Sequence, residues 1–169
     1  MDFRNEVAGY VPQLRRFARA LCGDAALADD LVQDCIERAL RKQHLFDETR
    51  SLKTWLFTIL RNLFSSGLRR KSGEAGTKRV DDLSMGEDAT MPEQEQALAV
   101  ADIAEALQRL PPAHREVVLM VGLEDLSYRE VAEVTGVPIG TVMSRLSRAR
   151  ASLRALLSED GQTGLRRIK

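Results

Sequence analysis

"SYREVAEVTGVPIGTVMSRLSRARASL", Ser127–Leu153, decides the reading of this chain. Ser127 and Glu130 stand in S-x-x-E spacing, where each side chain satisfies an amide that the start of a helix would otherwise leave orphaned. Val131, Ala132 and Val134 give the short helix that follows an apolar side, and Gly136 supplies a residue free to turn with positive φ. Beyond it, Ile139, Val142, Leu146, Ala149, Leu153 and Leu156 keep a three-four rhythm, which predicts a longer amphipathic helix. Off that seam lie Thr141, Met143, Ser144, Arg145, Ser147 and Arg148, with Arg150 and Arg154 further along and no acid among them. A short helix, a glycine turn and a longer helix with a basic, hydroxyl-bearing face form a helix-turn-helix. Hydroxyls can serve phosphates or bases, and arginine can fork onto guanine. The plainer alternative is a helical hairpin whose arginines are solvated helix formers.

The rest of the chain weighs on that choice. Phe3, Val7, Tyr10, Leu14, Phe17 and Leu21 predict a first helix, ended at Gly23 and followed by Asp24 as the next cap. A second helix runs to about Lys42, with Leu27, Leu31, Cys35 and Ala39 along one face. After the loop "HLFDETRS", Ser51 caps a third, carrying Leu52, Trp55, Leu56, Ile59, Leu63 and Leu68, with Trp55 expected as the largest piece of the common core. Residues 72–91 have no sustained period and read as a linker. Pro92, Glu93 and Glu95 suit a helix start. Val100, Ile103, Leu107 and Leu110 mark the expected buried side of that helix, and Pro111 and Pro112 break it and open another with Val117, Val118, Met120 and Val121. The fold expected is all-α: two small helical domains joined by a flexible linker.

A net charge of zero over 169 residues conceals a division. Residues 1–72 carry a net +4, residues 73–100 a net −5 and residues 101–169 a net +1. Between Thr49 and Gly73 stand Arg50, Lys53, Arg61, Arg69, Arg70 and Lys71 without one acid. Two basic helices flanking an acidic connector point toward a polyanion. Twenty linker residues span at most roughly 66–72 Å, about twenty base pairs of duplex at ~3.4 Å each. No apolar run approaches the ~20 residues that cross a bilayer, and "MDFRNEVAG" lacks the apolar core of a signal peptide. No membrane insertion and a cytoplasmic location are therefore expected. Cys22, Cys35, His44 and His114 make neither CxxC nor HExxH spacing, so neither metal nor cofactor is expected. No carboxylate pair, Ser/His set or phosphate-cradling loop suggests an enzyme.

Taken together, "ADDLVQDCIERAL", "SLKTWLFTILRN", "ALQRLPPAHREVVLM" and the opening stretch resemble an extracytoplasmic-function sigma factor of the sigma-70 family. These small initiation factors of bacterial RNA polymerase keep only sigma regions two and four. "LCGD" and "TWLFTILRN" look closest to its general-stress group. The resemblance covers about residues 5–71 and 93–157. It implies region two over residues 1–71, an acidic linker over 72–91, region four over 92–158 and a flexible tail over 159–169.

The resemblance also implies roles. The second helix would dock on the coiled-coil clamp of the polymerase β′ subunit through Asp30, Gln33, Asp34, Glu37 and Arg38. Asp30, Asp34 and Glu37, spaced by four and three, share a face whatever the family. The loop Asp47, Glu48, Thr49, Arg50 and Ser51, with Asn62, would surround an extruded base of the minus-ten element, while Arg61, Arg69, Arg70 and Lys71 draw in the strand. Thr141, Met143, Ser144, Arg145, Ser147 and Arg148 would face the minus-thirty-five duplex. The partners implied are core polymerase, promoter DNA and an anti-sigma factor. The chain departs from its relatives at Asp34, where glutamate is usual, at Leu40, often tryptophan, and at Met143, often lysine. Two rivals are a ligand-sensing dimeric regulator, which requires a pocket and dimer interface in residues 1–71, and a sigma-mimicking decoy, which predicts a degraded recognition helix and an attached receiver domain for which the chain has no room.

Overall fold

The computed structural model describes residues 2–73 and 94–167, with side chains described for 2–70 and 99–158. The described residues are helical, without strands, as the all-α reading requires. Helix α1 spans Phe3–Cys22, α2 Ala25–Arg41 and α3 Leu52–Gly73, with a single 3-10 turn at Gln43–Leu45 before α3. After residues 74–93, α4 spans Gln94–Arg109, α5 Pro112–Gly122, α6 Tyr128–Thr135 and α7 Ile139–Arg167.

The helix boundaries are set by the capping residues. The Asp2 carboxylate accepts from Arg4 N, and the Asp24 carboxylate from Ala26 N and Leu27 N. Gly23 closes α1 at φ 70°. A Cβ there would also stand 2.6 Å from Cδ of Gln108, so glycine serves both the left-handed turn and a close approach. Ser51 Oγ accepts from Thr54 N at the start of α3. Pro112 opens α5, where its missing amide hydrogen costs nothing. The capping box at α6 is complete: Glu130 N donates to Ser127 Oγ at 3.1 Å and Ser127 N to Glu130 Oε2 at 2.7 Å.

The α1 pattern holds, with Val7, Leu14, Phe17 and Leu21 buried and Phe3 and Tyr10 packed at its edge. The α2 stripe is rotated from expectation. Ala28, Val32, Cys35 and Ala39 face the core, while Leu27 is exposed. The largest fully buried side chains are Phe17 and Phe57, 5.0 Å apart between ring centroids, and not Trp55. The indole is half-buried, in an aromatic cluster with Phe46 at 5.1 Å and Phe3 at 6.2 Å that braces the loop entering α3. Its polar edge favours such a margin over a dry centre. Cys35 donates to Leu56 O, and burial pushes its thiol up to about 12, the state of an inert packing residue.

The second half is built similarly. Val117 and Met120 of α5, Val131 and Val134 of α6, and Val142, Leu146 and Ala149 of α7 are buried, as are Leu107 and Leu110 of α4. Val100 and Ile103 are instead 46% and 45% exposed, and Ile139 at the start of α7 is 48% exposed. The apolar rhythm thus predicted the right helix in α4 but too long a buried face. Helix α3 extends through Ser72 and Gly73, and α7 through residues read as a tail. The remaining linker, Pro92 and the Glu93 and Glu95 side chains lie outside the described residues.

The sequence reading gave two modules on a tether. The structure joins them into one apolar cluster, with α1 packed on α4 and α5 and α3 packed on α6. Arg115 is central to that seam. Its guanidinium donates to Leu107 O at 2.8 Å, Leu21 O at 2.9 Å, and Gln108 O and Leu110 O at 3.0 Å each. These carbonyls lie at or just past the C-terminal ends of α1 and α4, where backbone acceptors run short of donors and carry partial negative charge; Leu107 O also accepts from Leu110 N at 3.2 Å. Burial pulls the Arg115 pKa down, and the carbonyl cage offsets that penalty. Gln108 adds a bond from its side-chain amide to Ala20 O at 2.9 Å.

Candidate nucleic-acid interface

Three surfaces gather the residues singled out in the sequence. The first is the loop before α3 with the outer side of that helix. Asp47 shapes the loop by accepting from Thr49 N at 2.9 Å and Thr49 Oγ1 at 2.7 Å, while Arg50 N donates to Asp47 O. The Thr49 hydroxyl and then its amide hold the Asp47 carboxyl below the usual carboxylate range. The turn is therefore intact at neutral pH and loosens only as pH falls through that lowered value. Asp47, Glu48, Thr49, Arg50 and Ser51 are exposed, as are Asn62, Arg69 and Arg70. The Lys71 side chain lies outside the described ones.

The basic residues do not form one patch. Arg61 is half-buried and Arg69 flanks it along a groove of about 340 Å³ against Pro112, Ala113 and Glu116 of α5. Arg70 turns the other way, toward α2. Several cations are already engaged across the seam. Arg61 forks onto the Glu116 carboxylate at 3.1 and 3.3 Å, Arg50 meets Glu133 of α6 at 3.0 Å, and Lys53 Nζ donates to Glu124 O at 2.6 Å.

The second surface is the groove between α2 and α3, about 480 Å³. Leu27, Leu31 and Leu63 form its apolar part, Asp30, Asp34 and Glu37 its acidic wall, and Arg38, Arg41 and Arg70 its basic rim. Gln33 stands outside the lining, its amide 3.4 Å from the Glu37 carboxylate. Leu27 escaped the sequence reading because its spacing fits a buried stripe equally well. An apolar floor with charged walls suits a partner's helix.

The third surface is the outer face of α7. Met143, Ser144, Ser147 and Arg148 are exposed, Thr141 and Arg145 half-buried, and Val142, Leu146 and Ala149 hold the opposite side in the core. Tyr128, at the first turn of α6, was not anticipated. With Met143, Ser147, Arg150 and Arg154 it lines a groove of about 240 Å³. Among the described residues there is no cluster of His, Cys, Asp and Glu able to hold a metal, and no helix is long and apolar enough to cross a membrane.

Comparison with known proteins accounts for both halves. Residues 7–61 match the family described as the Sigma2 domain of PhyR, and residues 101–153 match Sigma-70, region 4. The chain is 40% identical over 163 residues to the ECF RNA polymerase sigma factor EcfG of Rhodopseudomonas palustris, covering 95% of this chain and 87% of that one. Among solved structures it is similar to the sigma factor RpoE in complex with the anti-sigma factor NepR from Bartonella quintana. That match has a TM-score of 0.78 and 38% identity, and covers 93% of this chain and 97% of that one. It is also similar to CnrH in complex with the cytosolic domain of CnrY, with a TM-score of 0.70, 29% identity and coverage of 92% and 87%. A capped helix-turn-helix with a basic outer helix, preceded by a three-helix unit with an acidic groove, is matched over nearly its whole length by such a relative, and the chain belongs to the ECF RNA polymerase sigma factors, which direct promoter-specific transcription initiation.

Proposed function

We propose that the three surfaces divide the work of initiation. The α2–α3 groove, through Asp30, Asp34, Glu37 and Arg38 with Gln33 at its flank, takes the β′ clamp of core polymerase. The loop Asp47–Ser51 and Asn62 take a minus-ten base from the melted strand, with Arg61, Arg69, Arg70 and Lys71 as strand-binding cations. The α7 face from Thr141 to Arg148 reads the minus-thirty-five duplex. Residues 1–71 and 92–158 are thus regions two and four, joined by the acidic linker. The observation that carries this reading is the polar face of α7 opposite the buried Val142, Leu146 and Ala149, joined to a separate exposed loop pinned by Asp47 and Thr49. Such a loop offers short polar groups that cannot reach into a groove but can surround one extruded base, and the Asn62 amide can both donate and accept on its edge.

Asn62→Ala is expected to weaken binding of holoenzyme to the minus-ten non-template single strand and, in parallel, opening of duplex promoters. Melting costs a few kcal/mol per unstacked base, offset by the captured strand. Exchanging residues 46–50 for those of a relative should change minus-ten preference and leave minus-thirty-five preference alone. Wild-type strand binding by Asn62→Ala, together with unchanged base preference after the exchange, would refute the minus-ten assignment.

The relatives bound to NepR and CnrY support an anti-sigma partner for this chain too. Tagged chain captured from its unstressed host should bring down a second, non-polymerase protein identified by mass spectrometry. Recovery of polymerase subunits alone would count against that partner. The Asp30→Ala, Gln33→Ala, Asp34→Ala triple variant should lose core polymerase in the same capture while its melting temperature barely moves, because exposed substitutions shift stability by under about 0.5 kcal/mol. A wild-type yield of polymerase would remove the clamp assignment.

A further inference from the structure

The loop assigned above to the minus-ten base is short and polar. Asp47, Glu48, Thr49, Arg50 and Ser51 offer carboxylates, hydroxyls and a guanidinium, which suit the edge of an extruded base. They do not suit the face of the base pair left behind. When a base leaves the stack, its former neighbour keeps one ring face bare to water, and covering that face calls for an apolar side chain. Three stand at the margins of the loop: Leu45, Phe46 and Leu52. Leu52 is buried in the core, and the Phe46 ring is committed to the cluster with Trp55 at 5.1 Å and Phe3 at 5.8 Å. Leu45 is 64% exposed, the most exposed large apolar side chain among the described residues.

A leucine exposed alone is ordinary on a protein surface. Leu45 differs in how it is held. It ends the 3-10 turn Gln43–Leu45, where its amide donates to Lys42 O at 2.8 Å and the amide of Phe46 to Gln43 O at 3.1 Å. The anchored ring of Phe46 and the Asp47–Thr49 bonds fix the backbone on its far side. A side chain presented on fixed backbone loses less freedom when it meets a partner. Its surroundings are cationic. From Arg38 to Phe46 the chain carries Arg38, Arg41 and Lys42 and no acid. Side chains three apart eclipse in a 3-10 turn, so Lys42 falls on the side of Leu45. Arg41, Lys42 and His44 are exposed with it. An exposed aliphatic blade backed by a cation can part a base step while holding the phosphate beside it.

We propose that Leu45 is a wedge. It covers the bare face of the last stacked base pair at the edge of the melted minus-ten element, with Lys42 on the adjoining phosphate. The inference rests on the minus-ten reading above and divides its labour. The loop and Asn62 hold the extruded base, and Leu45 keeps the stack from closing behind it. Leu45 therefore acts on duplex that has to be opened and contributes little to a strand that is already single.

The test uses holoenzyme carrying Leu45→Ser or Leu45→Phe on three templates. They are a duplex promoter with 2-aminopurine in the minus-ten element, the same promoter with that element mismatched, and the minus-ten non-template oligonucleotide. Leu45→Ser should open the duplex roughly tenfold less well, seen as lower 2-aminopurine fluorescence. Leu45→Phe, which restores an apolar face, should come within about twofold of wild type. On the mismatched promoter and on the oligonucleotide Leu45→Ser should match wild type, with melting temperature and core polymerase binding unchanged. Wild-type opening of the duplex by Leu45→Ser overturns the proposal, and so does a Leu45→Phe variant as poor as Leu45→Ser. An equal loss on all three templates overturns it by making Leu45 part of the base-holding site. A loss of core binding overturns it by making Leu45 a polymerase contact. Asn62→Ala, run alongside, separates this inference from the reading beneath it. If Asn62→Ala loses the oligonucleotide while Leu45→Ser opens duplex normally, only the wedge fails. If Asn62→Ala binds the oligonucleotide as wild type does, the minus-ten site is misplaced and the wedge fails with it.

Discussion

Arg115→Ala is expected to lower the melting temperature by about 10 °C, from a loss of about 3–5 kcal/mol at about 2–4 °C per kcal/mol for a chain of this size. Four carbonyls at or just past the ends of α1 and α4 lose the guanidinium at once, although Leu107 O keeps its bond from Leu110 N. An unpaired buried acceptor costs about 1–3 kcal/mol, and the four costs are not additive, because water entering the vacated space would satisfy some of them. Arg115→Lys should rescue little. An ammonium is a point charge with three donors, and it cannot span carbonyls that a planar guanidinium reaches from three nitrogens. Thermal unfolding followed by circular dichroism checks both variants. A drop of under about 2 °C for Arg115→Ala would mean that the helix ends are satisfied some other way.

That arginine also marks the limit of what the sequence could disclose. Local signals were legible because their physics is local. The Ser127–Glu130 box, Gly136, Gly23 with Asp24, and Ser51 each bond within three or four residues of themselves, and all were read correctly. The three-four rhythm of α1 and, apart from the exposed Ile139, of α7 likewise placed the core seam. Arg16 and Glu124, by contrast, are 108 positions apart, and Arg61 and Glu116 are 55 apart, so no periodicity connects them. How the two halves joined by the linker are arranged was therefore not legible in the sequence. One signal was available. Arg115 and Glu116 stand four residues before Leu119 and Met120, on the buried side of α5, where a charge needs a partner. Val100 and Ile103 failed for the opposite reason. Spacing shows which residues of a helix are aligned, not how far along the helix its neighbour extends. The pairing of Arg61 with Glu116 was invisible for the same cause, since it depends on which half meets which.

The α7 face was legible in outline, and its test has the largest expected effect on binding. The first three turns of α7 expose Ser144, Ser147 and Arg148, with Arg145 half-buried beside them and Val142, Leu146 and Ala149 anchoring the reverse side. A helix about 10–12 Å across fits a major groove about 12 Å wide, and its N-terminal residues are those that meet base edges. In holoenzyme titrated on a minus-thirty-five duplex, Arg145→Ala and Arg148→Ala together should lower the salt slope by about 2 if both hold phosphates. If one forks onto a guanine, it should instead cost about 1–3 kcal/mol of discrimination at a single position, with the slope falling by about 1. Either pattern amounts to a loss of roughly a hundredfold or more at moderate salt. Arg148 is exposed, so its substitution should move stability by under about 0.5 kcal/mol; for the half-buried Arg145, thermal unfolding of the variant separates lost binding from lost fold. Met143, 52% exposed on the same face, supplies the converse experiment. Met143→Lys should add one phosphate contact, raise affinity for every duplex alike and steepen the salt slope by about 1. Unchanged slope and affinity in the arginine double variant would leave the basic face of α7 a solvated surface and remove its recognition role.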